Sequence, residues 1–105
     1  MKSWVCSYTG RRIDPLNLKV SDIDIRDIAH HLSNVCRYTG AVSNFYSVAQ
    51  HSFYVSGLVP PEFALWGLLH DASESYVADI SKPLKVTPIF ALYRELEESM
   101  MKVIA

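Results

Sequence analysis

The sequence predicts an all-α fold that carries a short N-terminal β-hairpin. Apolar residues recur at helical spacing in several separate stretches from Asp24 onward, helix-start signals precede those stretches, and a short run of aromatic, β-branched or small residues before a glycine turn stands at the beginning of the chain. With 105 residues, of which 50% are hydrophobic and 20% charged, the chain has the composition of one ordinary globular domain. No repeat, low-complexity tract or flexible linker divides it. A single domain over 1–105 is expected, with a hairpin at about 4–14 and a helical core at about 24–105.

Residues 4–9 are aromatic, β-branched or small, and Gly10-Arg11 can turn the chain toward residues 12–14. So short a hairpin cannot fold alone and must pack on helices. Asp24 is a suitable N-cap for a helix whose apolar side is Ile25, Ile28, Ala29, Leu32, Val35 and Cys36, with Asp27 in the favourable first turn and Gly40 ending the region. Ser47-Val48-Ala49-Gln50 reads as a capping box opening a second helix that runs to Ser56 and closes at Gly57. Pro60-Pro61 starts a third, because proline in the first turn loses no hydrogen bond. Phe63, Ala64, Leu65, Trp66, Leu68 and Leu69 make this helix apolar almost all round, which predicts that it is the buried centre of the fold. A last helix opens at Thr87-Pro88 and carries Ile89, Leu92, Tyr93, Leu96, Met100 and Val103 along one side.

A formal net charge of -1 argues against duplex nucleic acid as a partner, since that requires a concentrated basic face. Cys6 and Cys36 lack any metal-binding spacing and read as a reduced pair. The start of the chain has no signal-like apolar stretch, and the longest apolar run, residues 63–69, is too short to span a bilayer. A cytoplasmic protein with no membrane partner is therefore expected.

Chemistry concentrates where that apolar run ends, at His70-Asp71, followed by Glu74 and Asp79. An imidazole and a carboxylate placed at a buried position must be hydrogen-bonded, neutralised or bound to metal. On a helix, residues four apart differ by roughly 40° about the axis, so His70 and Glu74 share a side, while Asp71 lies roughly 100° from His70. Both neighbours reach one ion only if it sits against the flank of the helix. His51, in the first turn of the preceding helix, can add a third ligand if the two helices pack side by side. His30 and His31 follow Ile28-Ala29 on a surface-type helix and are assigned no ligand role.

The ordered set Val48-Ala49-Gln50-His51-Ser52, His70-Asp71-Ala72-Ser73-Glu74 and Asp79-Ile80-Ser81-Lys82-Pro83-Leu84-Lys85 resembles the HD superfamily of metal-dependent phosphohydrolases, nearest its 5'-deoxynucleotidase-like branch. The resemblance runs from about Gly10 to the C-terminus. It implies an HD-type helical core in which His51, His70 and Asp71 hold one divalent metal ion, of an identity (Mn, Co, Fe, Ni or Zn) that this ligand set does not select. It further implies Glu74 as the residue that orients or deprotonates the attacking water, with Arg37, Tyr38 and Asp79 contacting substrate: Arg37 the phosphate, Asp79 the sugar hydroxyl. A cation near a helix C-terminus is the plainer account of Arg37. Lys82 and Lys85 read as parts of a solvated proline turn, and Glu95, Glu97 and Glu98 as a solvated helix face.

Two departures stand out. Tyr38 occupies the position where the deoxynucleotidase branch typically has tryptophan, and no aspartate follows Asp79, although the superfamily closes its metal site with one well beyond the HD pair. The chain thus reads as C-terminally truncated, with three protein ligands. The resulting expectation is metal-assisted hydrolysis of a nucleotide phosphate, a (deoxy)nucleoside 5'-monophosphate first. Triphosphate release from a dNTP and a non-catalytic HD domain that binds a nucleotide or protein remain as alternatives. The expected partner is a small-molecule nucleotide, with a homo-oligomer left open.

Overall fold

The structure, a computed structural model, describes residues 4–78 and 80–104. At the N-terminus β1 (Val5–Cys6) pairs antiparallel with β2 (Arg12–Ile13), Val5 opposite Ile13 and Cys6 opposite Arg12. Gly10 adopts a φ of 88°, which a side chain would resist, and its N–H donates to the Ser7 carbonyl at 2.9 Å to close the turn. Ile13 anchors this small hairpin by entering the core, where it is fully buried. Asp27 adds a second tie, accepting from the Thr9 N–H at 2.8 Å and the Thr9 hydroxyl at 3.0 Å. A third runs through His31, whose Nε2 accepts from the Tyr8 N–H at 3.0 Å while its Nδ1 lies 2.9 Å from the Ser75 carbonyl. The tautomer with its proton on Nδ1 satisfies both contacts.

Six α-helices follow among the described residues. Helix α1 (Ile25–Ser33) starts where expected: the Asp24 carboxylate accepts from the Arg26 N–H at 2.9 Å. The same carboxylate is bound by the side chain of Arg26 at 2.7 Å and by that of Arg11 at 3.3 Å. Hydrogen bonds from Arg26, with the nearby positive charges, hold its pKa at about 2.

Helix α2 (Val48–Leu58) opens on half of the expected capping box. Ser47 Oγ accepts from the Gln50 N–H at 3.0 Å, but the Gln50 amide donates to the Tyr54 hydroxyl at 3.2 Å. The helix passes through Gly57 and ends at Leu58, so that glycine is not its stop. Helix α3 (Ala64–Leu69) follows a 3-10 turn at Pro61–Phe63; α4 (Glu74–Val77) and α5 (Lys82–Lys85) are single turns. Helix α6 (Ala91–Ile104) follows another 3-10 turn at Pro88–Phe90.

The core lies between the hairpin, α1, α2, α4 and α6, and is made by Ile13, Ile28, Leu32, Val48, Ala72, Tyr76 and Met100. This corrects the expectation that the third helix is the buried centre: in α3 only Gly67 is buried, while Leu65 is 68% and Trp66 63% exposed. Close approach explains it. A Cβ at Gly67 would stand 3.1 Å from Ser56 Cα, so α3 lies almost backbone to backbone on α2 and buries one narrow stripe. All-round apolarity reports how much burial a helix could use, whereas the neighbours it meets decide how much it gets. The last helix is corrected in the same sense. Met100, Leu96, Met101 and Ile104 face the core, but Ile89 and Leu92 are exposed.

Candidate metal centre and its cleft

His51 comes from the first turn of α2, and His70 and Asp71 from the corner that follows α3. The corner differs from the continuous helix assumed for residues 70–74, since α3 ends at Leu69 and α4 begins at Glu74. The three side chains nevertheless converge, each offering one ligand atom, all within 4.8 Å of one another. Asp71 Oδ2 stands 3.0 Å from His70 Nε2 and 3.5 Å from His51 Nε2. Two donors each about 2.1 Å from a shared ion are separated by about 3.0 Å at a right angle and about 3.4 Å at a tetrahedral one. The two separations from Asp71 are of the size a shared ion requires.

The hydrogen bonding of His70 is compatible with a ligand role. His70 Nδ1 lies 2.6 Å from the Gly67 carbonyl, a contact that requires the proton on Nδ1. In the neutral ring Nε2 then carries a bare lone pair, aimed at a carboxylate oxygen. In the charged ring the same nitrogen would instead donate to Asp71 as an ion pair. A backbone carbonyl that fixes the remote nitrogen is also the usual outer support of a metal-binding histidine. His30 and His31 stand apart from this group: His30 stacks on Tyr8 with ring centres 3.7 Å apart, and His31 joins the hairpin to α4.

Around the three residues lies a cleft of about 550 Å³, lined in part by Arg37, Tyr38, Glu74, Lys85 and Arg94. Glu74 is 4% exposed, which rules out the helix-surface reading of that glutamate. Arg37 follows α1 by several residues and lies in a 3-10 turn, Arg37–Gly40, that interrupts the expected continuation of the helix. Its guanidinium packs 4.6 Å from the centre of the Tyr38 ring and 5.6 Å from that of Tyr46, and it donates to the Tyr38 hydroxyl at 3.2 Å. These contacts hold the guanidinium against the two rings at the wall of the cleft. Tyr38 and Thr39 adopt φ values of 57° and 55°, a left-handed conformation that is costly for residues with a Cβ. The Thr39 hydroxyl meets that of Ser81 at 2.9 Å, which ties this turn to the start of α5. Asp79, the expected sugar-binding aspartate, lies outside the described residues.

Two residues read as solvent-facing belong to the site. Lys85 Nζ stands 3.1 Å from Glu97 Oε1 and 3.9 Å from Glu74 Oε1. Burial pulls the Lys85 ammonium down, but its hydrogen bond to Glu97 and the charges of Glu97, Glu74 and Asp71 outweigh this and raise its pKa above the ordinary lysine value. Glu97 is not part of a solvated face: its other oxygen accepts from the Ser73 hydroxyl at 3.2 Å. A signal for it was present in the spacing. Tyr93, Glu97, Met100 and Ile104 fall on one side of α6, so this glutamate interrupts the apolar stripe. Lys85 carried no comparable signal, because its neighbours depend on how α5 and α6 meet.

No family model matches the chain. Over 102 residues it is 44% identical to the uncharacterized protein YfdR of Escherichia coli (strain K12), an alignment covering 97% of the chain and 56% of that relative. It is 36% identical over 108 residues to an uncharacterized protein of Rhodobacter capsulatus, covering 94% of the chain and 55% of that relative. The chain spans about half the length of the curated relatives it matches. No helix among the described residues is long and apolar enough to cross a membrane.

Proposed function

We propose that the chain is a divalent-metal-dependent phosphohydrolase of the HD type, acting on a nucleotide phosphate and first of all on a (deoxy)nucleoside 5'-monophosphate. The observation that carries this reading is the convergence of His51 Nε2 and His70 Nε2 on a single Asp71 oxygen, with His70 Nδ1 committed to the Gly67 carbonyl. It agrees with the resemblance of the motif set to the HD superfamily.

A divalent ion at that point would lower the pKa of water and neutralise charge building on the phosphoryl oxygens. The surrounding side chains suit the rest of the reaction. Arg37, held against Tyr38 in the cleft lining, carries a planar fork of the kind that suits a phosphate. Glu74, buried in the same cleft, is available to take the proton of the attacking water as its oxygen bonds to phosphorus and the ester oxygen departs. A cleft of about 550 Å³ is of the size that encloses a small organic ligand.

The test combines metal titration with product analysis. Folded protein is expected to bind one Mn²⁺ or Co²⁺ and to release phosphate from deoxynucleoside monophosphates. His70→Ala should lose both properties, and Glu74→Ala should keep the metal while turnover falls about 10²-fold or more. Folded protein that takes up no divalent ion would overturn the reading. Metal and nucleotide binding without product over long incubation would assign the chain to the non-catalytic alternative, and tripolyphosphate released from a dNTP would move it to the triphosphohydrolase class.

A further inference from the structure

The geometry points to Glu97 and Lys85 as positioning residues for Glu74: Glu97 fixes the Lys85 ammonium, and that ammonium in turn holds the buried Glu74 carboxylate in the cleft. The kinetic consequence rests on the phosphohydrolase reading; the structural one does not.

Three separate elements meet at Glu97. One carboxylate oxygen accepts from Ser73, at the corner before α4, and the other accepts from Lys85, the last residue of α5, at 3.1 Å. The Lys85 ammonium then stands 3.9 Å from Glu74 Oε1. Glu97 is 15% exposed, Lys85 26% and Glu74 4%, so the two partners are partly shielded and the carboxylate they serve is buried. A buried carboxylate with no cation nearby is driven toward its neutral form, and a cation that can wander does not define its direction. Lys85 supplies the cation and Glu97 removes its freedom.

Helix α6 secures the same segment by other bonds. The Tyr93 hydroxyl donates to the Ala78 carbonyl, and the Arg94 guanidinium donates to the carbonyls of Lys85 and Thr87. Ala78, at a φ of 69°, is held in a conformation it would not choose alone. Each of these contacts fixes backbone around α5, whereas Glu97 supplies the α6 carboxylate that binds the Lys85 ammonium, with the Tyr93 ring 5.8 Å from it. That makes Glu97 the residue whose loss should be felt at Glu74 without being felt along the loop.

Lys85→Met, Lys85→Arg and Glu97→Gln decide the matter, measured by metal titration, steady-state kinetics and ¹³C NMR of labelled glutamate carboxyls at fixed pH. All three should bind metal within about threefold of wild type. Misplacing a reacting group by a fraction of an ångström to 1 Å costs up to about 10²-fold. Lys85→Met and Glu97→Gln should therefore lower kcat about 10- to 100-fold with KM within threefold, and Lys85→Arg should recover most of kcat. The Glu74 carboxyl resonance, assigned from its absence in Glu74→Gln, should shift in both Lys85→Met and Glu97→Gln. A raised KM with kcat unchanged would overturn the proposal by making Lys85 a substrate contact, and an unmoved Glu74 resonance in Glu97→Gln would overturn it directly. If wild-type protein hydrolyses no nucleotide, the functional reading falls while the resonance still decides the positioning role.

Discussion

Replacing Gly67 by alanine tests whether the spacing of α2 and α3 governs the metal centre. The new Cβ would meet Ser56 Cα at 3.1 Å, Ser56 N at 3.2 Å and the Val55 carbonyl carbon at 3.3 Å. Comfortable contacts between carbons lie at about 3.5–4.0 Å, and all three atoms are backbone, so relief requires the helices to part by about 0.4 Å or more. Alanine improves helix propensity by about 1 kcal/mol, and overpacking of this kind costs about 1–3 kcal/mol, so the variant should be destabilised by about 0–2 kcal/mol. At about 4–8 °C per kcal/mol for a domain of this size, the upper end is a fall of about 8–16 °C in Tm. The effect on the metal should exceed the effect on the fold. His51 rides on α2, His70 follows α3, and the carbonyl that fixes His70 belongs to Gly67 itself. Loss of such outer support typically weakens metal affinity about 10- to 100-fold. Calorimetric titration with Co²⁺, alongside thermal melts with and without the ion, reads both quantities. Wild-type metal affinity in a protein whose Tm has fallen would refute the claim that this helix contact sets the donor geometry. A raised Tm would refute the contact's tightness.

Asp27→Ala should cost about 1–3 kcal/mol in urea denaturation with an unchanged m-value, because it removes the buried, charged acceptor of the two Thr9 hydrogen bonds that seat the hairpin. Ile13→Ala, at the opposite anchor of the hairpin, should cost about 2–5 kcal/mol in the same assay. Asp24 has a folded pKa of about 2 against an ordinary 3.8, which is a depressed value. Its contribution to stability is therefore complete above the ordinary value and is lost as pH falls through about 2; Asp24→Asn should flatten acid unfolding in that window, and a carboxyl titration by NMR checks the pKa itself.

Features encoded by neighbouring residues were readable in advance. The Gly10 turn, the Asp24 cap, the Ser47 cap and the proline starts each depend on a few adjacent residues, and all stand where local chemistry puts them. The convergence of His51 with His70 and Asp71 was legible for a related reason: a short connection between two helices leaves few ways for them to lie apart. Burial was less legible, because α3 is apolar on every side and only its contact with α2 determines that Gly67 is the face that counts. Lys85 and Glu97 were missed on the same ground. Each is a charged residue on a helix, and what distinguishes them is a partner far away in sequence. The single-turn α4 and α5, held from α6, likewise depend on contacts that no local pattern contains.

The left-handed turn at Tyr38, Thr39 and Gly40 bears on how this protein would respond to selection. Glycine or asparagine at positions 38 and 39 would accept those dihedral angles more readily, so the present residues keep the native state below the stability the backbone could reach. Natural proteins sit close above a stability threshold, and heat selection readily recovers losses of this kind. A glycine at 38 would also remove the ring on which Arg37 stacks, and a glycine at 39 the hydroxyl that ties the turn to Ser81. Variants chosen purely for thermal tolerance should therefore drift toward a robust fold with a slack cleft, and the wild-type pair records the compromise in the other direction.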